Sequence, residues 1–209
     1  VLFKEYTGED TLKFIEMNYG PWDRLDGNKP FLPNFGAKPL GAQFYPEDMT
    51  YEEFDKCTHK DKFNLYSLVR RNEKGELYCI PYHTAYQSKL ERASALLKEA
   101  ADITENQSLK NYLNLRSVAL LIDMYRDSDL AWMDIKDNNL DFIVGPIQDL
   151  EDHLFGAKAS YEAILMVKDH EWSKKLQKFA LLVPYLQKEL PFDEKYTNEL
   201  PGETADIGV

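Results

Sequence analysis

The sequence contains few of the residues from which metal sites and disulfide frameworks are built. Among its 209 residues there are four histidines and two cysteines, so few sets of zinc ligands can be assembled from them. A chain of this length with only two cysteines, Cys57 and Cys79, usually keeps them as reduced thiols and not as a disulfide. We therefore expect a cytoplasmic protein with neither a disulfide framework nor a metal site in this chain.

Long apolar runs and an excess of positive charge are also missing. The longest apolar stretches, such as 118–122 and 179–183, are far shorter than the roughly 20 residues that a membrane-spanning helix needs. Lys and Arg number 25 against 36 Asp and Glu, a formal net charge of −11, so the mean field repels nucleic acids and anionic membranes. We expect neither as a partner.

The apolar content that is present is ample for a folded core. The chain is 44% hydrophobic and 13% aromatic, which is too apolar for a disordered segment despite the charge. An irregular segment at 22–46, rich in Pro and Gly, carries scattered aromatic residues and is expected to be ordered by them.

Hydrophobic periodicity predicts an α+β fold dominated by helices, with a small mixed or antiparallel sheet. Thr50 and Glu53 form a capping box that opens a short helix. Further helices are predicted at 11–19, 63–70, 84–101, 108–125 and 171–190. Val118 and Ile122 belong to the apolar stripe of the fourth of these, and Pro184 is expected to kink the last. Strands are predicted at 76–82, at 139–145 with a break at Pro146, and at 157–168, where a helix also fits the pattern.

Two patterns suggest a zinc site, and each is incomplete. His170-Glu171 opens like the helix motif of zinc peptidases, but Lys174 stands where the second histidine is needed. Glu171 is better explained by a favourable interaction with the helix dipole. Four further residues could form a free-standing structural zinc domain, an alternative that stays open although their spacing lacks the usual C-x2-C pairs: Cys57, His59, Cys79 and His83.

Clustered carboxylates do not have the spacing of a catalytic or calcium site. The adjacent Glu151 and Asp152 are expected to point apart, which makes them a poor acid–base pair. An apolar run separates acids that lie in a predicted short connection and lack the spacing of a calcium loop: Asp127, Asp129, Asp134 and Asp137. No catalytic residue is assigned in this chain.

Four stretches together make the sequence similar to the dipeptidyl peptidase III family of zinc exopeptidases. They are GAQFYPEDM at 41–49, SDLAWMD at 128–134, DFIVGP at 141–146 and EDHLFG at 151–156. The likeness runs collinearly from about Gly20 to Val209 and is strongest to the bacterial branch and to plant proteins that carry such a domain behind a Nudix domain.

The resemblance implies the N-terminal part of a two-lobed peptidase. Residues 1–190 would form the N-terminal lobe, and the polar segment 191–209 would lead to a catalytic part outside this chain. In the family, zinc is held by an H-E-x-x-x-H type motif and a later glutamate that follow this region. Zinc and short peptides are thus the cofactor and partner implied for a full-length parent, with no cofactor in this chain. The non-Met first residue Val1 and the abrupt end at Val209 agree with a piece of a longer protein.

One feature of the family lies within this chain. After the G-P step, relatives carry E-x-Y, in which the glutamate binds the free ammonium terminus of the substrate and the tyrosine stabilises the transition-state oxyanion. The matching positions here are Gln148, Asp149 and Leu150, which makes them the candidate substrate-binding residues. Gln148 keeps an acceptor but no charge, and Leu150 has no donor, a loss that typically costs about 10²–10³ in rate.

Besides the structural-zinc alternative, two functions remain open for the chain. The first is the substrate-side portion of a zinc dipeptidyl peptidase, inert as a peptidase by itself. The alternative is a non-catalytic relative that binds peptides or a protein partner, which the residues at 148 and 150 suggest.

Overall fold

The computed structural model describes residues 8–135 and 138–192 and confirms a helix-dominated α+β fold. In that part of the chain the helices are α1 (Glu9–Asn18), α2 (Tyr51–Lys56), α3 (Tyr82–Ala85), α4 (Gln87–Ile103), α5 (Gln107–Ile122), α6 (Arg126–Met133), α7 (His170–Ala180) and α8 (Val183–Lys188). The strands are β1 (Trp22–Asp23), β2 (Lys29–Pro30), β3 (Ser67–Arg71), β4 (Leu77–Pro81), β5 (Leu140–Gln148) and β6 (Ser160–Val167). They form separate two-stranded sheets, β1–β2, β3–β4 and β5–β6, of which the first and last are antiparallel.

The chain divides into two compact units. The first comprises residues up to Cys79 together with Asp149–Lys158, and the second comprises Ile80–Gln148 with the residues from Ala159 onward. Of the predicted connecting segment 191–209, all but the first two residues lie outside the described part of the chain.

An aromatic cluster forms the core of the first unit. Phe54, which is 2% exposed, stacks on Phe155 with ring centroids 4.1 Å apart, and Tyr45 packs edge-on against both. The Thr50 side chain accepts a hydrogen bond from the Glu53 N–H at 3.2 Å, so the predicted capping box is confirmed. The stacking on Phe155 brings α2 together with a segment about 100 positions away in the sequence.

The irregular segment at 22–46 is ordered by its aromatic residues, as predicted. The Trp22 indole donates to the Gly36 carbonyl at 2.8 Å and packs edge-on against Phe35. Phe31 packs against Phe14 of α1 with centroids 4.7 Å apart.

The helices α4, α5 and α6 form the core of the second unit. Leu90, Leu97 and Ala101 of α4 are buried, and α4 packs against α5. Asn106 caps α5 by accepting from the Leu109 N–H at 2.9 Å. The strand predicted at 157–168 is confirmed as β6, which pairs with β5 from Leu140↔Val167 to Gln148↔Ser160. None of the helices in the described part of the chain has both the length and the apolar composition to cross a bilayer.

Two predicted elements take a different form because burial, rather than periodicity, decides them. The helix predicted at 63–70 is wrong: Ser67, Leu68 and Val69 are buried one after another, as in a strand covered on both faces, and they belong to β3. The acidic connection predicted at 127–134 is also wrong, because α6 occupies it after Asp123 ends α5 in a left-handed conformation. Asp137 lies outside the described residues.

The two prolines also act differently from the prediction. Pro146 does not break its strand: β5 continues through it opposite Tyr161, with an irregularity in register between Pro146 and Gln148. The helix predicted at 171–190 is interrupted after Ala180. Pro184 lies in the first turn of α8, where a backbone N–H would have no acceptor within the helix, so proline is tolerated there.

On α5 the buried face agrees with the predicted apolar stripe only in its first half, where Leu109 and Leu113 of that stripe are buried. Val118 and Ile122 are each 48% exposed, whereas Arg116 and Ser117 are buried. A polar side chain on this face needs specific partners, and those of Arg116 lie next to the candidate site.

Candidate functional site

The candidate substrate-binding residues lie at the end of β5 and in the turn that follows. Gln148 is the last residue of the strand, and its backbone carbonyl accepts from the Ser160 hydroxyl at 2.9 Å. Asp149 begins a turn in which its carbonyl accepts from the Asp152 N–H at 3.1 Å. All three side chains are exposed, and Leu150 is 66% exposed. Leu150 therefore does not belong to the core of this chain, and each side chain is accessible to a ligand.

Gly145 sets the backbone that leads to these residues. Its φ of +143° lies in the region that favours glycine, and a Cβ at this position would lie 3.1 Å from Arg116 Nη1 and 3.5 Å from the Tyr125 ring. The close approach of α5 to β5 thus requires glycine immediately before Pro146. The register irregularity that follows changes the direction of the strand just ahead of Gln148.

Arg116 is the buried group behind Gly145. It is 2% exposed, its guanidinium lies 5.4 Å and 5.3 Å from the ring centroids of Tyr112 and Tyr125, and it pairs with Asp129 of α6. Its Nε and Nη1 atoms have no hydrogen-bond partner within residues 8–135 and 138–192. The two aromatic faces and the carboxylate therefore supply its stabilisation.

A second contact fixes α6 to β5. The Trp132 indole donates to Asp141 Oδ1 at 2.8 Å. This contact links the stretch at 128–134 directly to the stretch at 141–146, and the Arg116–Asp129 pair joins the first of these stretches to α5. Two of the four stretches that carry the family likeness therefore form one local structure that supports β5.

Asp152 organises the segment 149–158 in the first unit. Its Oδ1 accepts from the N–H groups of Leu154 and Phe155 at 3.0 and 3.1 Å. Its Oδ2 accepts from the Tyr45 hydroxyl at 2.8 Å and from the N–H groups of Ala157 and Lys158 at 2.9 and 3.1 Å. Burial opposes ionisation, but the bonds from Ala157, Tyr45, Phe155 and Leu154 outweigh it and lower the pKa of Asp152. The carboxylate is thus a structural anion.

Glu151 points to different partners, which confirms that it does not pair with Asp152. Its carboxylate accepts from Lys38 Nζ at 2.6 Å and from the Arg24 guanidinium. Burial opposes ionisation here too, but hydrogen bonds from Lys38 and Arg24 lower the pKa of Glu151. This carboxylate links the segment 149–158 to the irregular region 22–46.

Lys158 closes the segment as a fully buried amine. Its Nζ donates to the Asn64 carbonyl at 2.8 Å and to Ser67 Oγ at 2.9 Å, and the residue is 0% exposed. Burial lowers the pKa of Lys158 to about 8. The segment that begins with two candidate site residues is therefore held along its length by buried or half-buried charges.

Side chains that could bind a metal are not clustered in the described residues. In the ranges 8–135 and 138–192, no three or more His, Cys, Asp or Glu side chains come together as a metal-binding group. Of the four residues of the structural-zinc alternative, His83 instead lies with Nδ1 2.8 Å from Asp123 Oδ2, and Cys57 and Cys79 are unpaired thiols. The donor set that zinc needs is not assembled from this part of the chain.

Sequence reasoning did not find the supporting roles of Arg116, Asp152 and Lys158. Their partners are distant in sequence, as in the Tyr45–Asp152 contact over 107 positions. One usable signal was present: Tyr45 and Asp152 each fall in a stretch that carries the family likeness.

The chain is similar to a part of two longer proteins of known structure. The structure of DPP III from Caldithrix abyssi is 39% identical, with a TM-score of 0.80, and the match covers 92% of this chain and 38% of that one. The structure of dipeptidyl-peptidase III from a Corallococcus species, strain EGB, is 33% identical, with a TM-score of 0.79, over 98% of this chain and 40% of that one.

A curated protein matches as well. Nudix hydrolase 3 from Arabidopsis thaliana is 29% identical over 243 aligned positions, which cover 90% of this chain and 31% of that protein. No family model matches the chain. The chain spans less than half the length of each of these relatives.

Proposed function

The chain is similar over most of its length to a part of dipeptidyl peptidase III, and from this we propose that it is the N-terminal, substrate-side portion of a longer peptidase of that kind. The observation that carries the proposal is the agreement in both sequence and backbone with two such structures, each matched over less than half of its own length. In this proposal, residues 1–190 act as the N-terminal lobe of the longer protein.

The proposed role of the chain is to hold the amino-terminal end of a short peptide. Gln148 offers a neutral oxygen for the ammonium group, and the exposed Asp149 offers a full negative charge at the next position. The exposed Leu150 provides an apolar contact where relatives provide a hydroxyl. Gly145 and Arg116, through β5, position the backbone that carries Gln148.

The chain by itself is proposed to be inert as a peptidase. Its described residues bring together no set of metal ligands, and Leu150 cannot donate a hydrogen bond to an oxyanion. We propose that zinc and its ligands belong to a part of the parent outside this chain. The unpaired thiols of Cys57 and Cys79 suit the reducing cytoplasm, which is the proposed location.

A second candidate is a relative that binds peptides or a protein partner without cleaving them. The observation that favours it is the chemistry at the end of β5, where a neutral amide and an apolar side chain occupy the two positions that match E-x-Y. Retained binding without hydrolysis in the full-length protein would select this candidate.

The binding role is tested on this chain with a tetrapeptide that has a free amino terminus and with its N-acetylated form. Gln148→Glu restores a charge at the position proposed to meet the ammonium, so we expect about 10-fold or tighter binding of the free peptide and no gain for the acetylated one, since a charge-assisted hydrogen bond contributes roughly 1.5–3 kcal/mol. Titration calorimetry measures both. An equal change for the two peptides would contradict the proposed contact.

The catalytic role is tested on the full-length parent by hydrolysis of dipeptidyl arylamides. Leu150→Tyr returns an oxyanion donor, for which we expect a gain in kcat of about 10²–10³ if the parent is a weakened peptidase. Leu150→Phe is the matched control because it adds the ring without the hydroxyl. Wild-type turnover equal to that of Leu150→Tyr would refute the importance of this position.

A further inference from the structure

The C-terminal half of β6, residues 163–167, is exposed on both faces and along one edge. Leu165 and Val167 on one face are 64% and 72% exposed, and Ile164 and Met166 on the other are 43% and 45% exposed. Within the described residues β6 pairs only with β5, so its second edge carries free N–H and C=O groups. Folded proteins normally cover or charge such an edge, yet Ala163–Val167 contains no charged residue.

The helices that follow present a second apolar surface. Trp172, Leu176 and Phe179 are spaced four and three residues apart on α7, which puts them on one stripe. Trp172 is 56% exposed and Phe179 is 64% exposed. The residues that follow add further apolar side chains that are each about half exposed or more: Leu181, Leu182, Val183, Tyr185 and Leu186.

Many of the large apolar side chains in β6, α7 and α8 are therefore exposed to solvent. Single exposed apolar residues are normal, but contiguous apolar patches of more than a few hundred Å² mark interaction sites. A two-stranded sheet is also marginally stable without a further strand or a covering layer.

We propose that residues 163–167 of β6 and the exposed apolar side chains of α7 and α8 form a docking surface. Its occupant is the remaining polypeptide of a chain as long as dipeptidyl peptidase III. This proposal rests on the proposed function. The support is the length comparison: the relatives contain this backbone within chains of which some 60% or more has no counterpart here. The edge of β6 would receive at least one further strand, and its apolar faces would be covered by the same polypeptide.

A second copy of this chain is the less favoured occupant because of charge. Each chain carries a formal net charge of −11, so two copies repel one another before contact. The remaining polypeptide, in contrast, is held at high effective concentration by the peptide bond that joins it.

Hydrogen exchange of the Ala163–Val167 amides tests this, comparing the full product of the natural reading frame with the 209-residue chain. Successive N–H groups of a strand point to opposite edges, so these five residues include at least two N–H groups that point away from β5. We expect these amides to exchange about 100-fold more slowly in the full product, because a paired edge exchanges only through local opening. Acrylamide quenching of Trp172 should weaken in parallel, with Trp172→Phe identifying its share of the signal.

Leu165→Lys in the full product should speed exchange of these amides by about 10-fold or more, since a buried charge at the interface weakens docking. Leu25→Lys is the matched control, since Leu25 is 98% exposed in the first unit, and it should change nothing. If Leu165→Lys does not fold, the wild-type comparison and Trp172 quenching still decide.

Three results would overturn the proposal: equal exchange in the two proteins, slow exchange already present in the 209-residue chain (through self-association or its own residues), or a reading frame that adds no polypeptide. Light scattering on the short chain identifies self-association. The docking surface can fail while the Gln148→Glu peptide test succeeds, so the two proposals are separable.

Discussion

Replacing Asp152 by Asn tests whether its carboxylate holds the segment 149–158 in place. The carboxylate is 4% exposed and accepts five hydrogen bonds, two on Oδ1 and three on Oδ2. Asn has one acceptor oxygen, and its amide group is a donor. Even in its better orientation, Asn keeps the three bonds at Oδ2 and turns an N–H₂ toward the N–H groups of Leu154 and Phe155.

The expected loss follows from these two bonds. Each hydrogen bond to a charged acceptor contributes about 1.5–3 kcal/mol, so losing two costs about 3 kcal/mol or more, before the repulsion between facing donors is counted. Tyr45→Phe removes one of the five bonds and should cost about 1.5 kcal/mol. Asp149→Asn makes the same chemical change at an exposed position three residues away and should leave stability unchanged.

Urea denaturation followed by circular dichroism measures these differences at constant m-value. The lowered pKa of Asp152 adds a pH signature. A carboxyl group that is more acidic in the folded chain stabilises it above its unfolded pKa, and this contribution is lost as the pH falls through the folded value. The Asn variant should lack this acid-dependent loss. A cost for Asp152→Asn smaller than that for Tyr45→Phe would refute the role assigned to the carboxylate.

Two further substitutions test the buried amine and the glycine of β5. Below pH 8, Lys158 is charged in both the folded and the unfolded chain, and burying this charge destabilises the fold. Between about pH 8 and 10.5 the unfolded chain binds more protons than the folded one. The free energy of unfolding should therefore increase by up to about 3 kcal/mol over this range. Lys158→Met should lack this rise, and identical pH profiles for the two proteins would contradict the pKa assignment. Gly145→Ala should lower the free energy of unfolding by about 1–3 kcal/mol through strain at positive φ and contact with Arg116. Gly75→Ala shares a positive φ but meets nothing within 4 Å, so an equal cost for both would show that the Arg116 contact is unimportant.

Much of the secondary structure could be predicted because its causes are local. The capping box at Thr50 and the aromatic-rich irregular segment follow from residue types and spacing over a few positions. The strand at 157–168 was correctly favoured from its alternation, although its pattern also fits a helix. The strand β3 could not be predicted in this way. Its residues Ser67–Val69 are buried on both faces, so their pattern carries neither strand nor helix periodicity.

The candidate site was predicted only in part. Gln148, Asp149 and Leu150 were identified from the family likeness, and their exposure agrees with contact to a ligand but does not test it. The groups that support them could not be identified, because a buried Arg116 or Lys158 looks like any surface cation in a sequence.

Composition and short-range pattern were sufficient to predict an acidic α+β chain in which histidines and cysteines are too few for most zinc sites. The tertiary structure alone decided which charges are buried and what they bind. Asp152 acquires its five donors, and Arg116 its two aromatic faces, only when segments far apart in the sequence come together. Backbone preferences act over a few residues, whereas burial and electrostatics depend on every neighbour in space, and those neighbours are set by the fold.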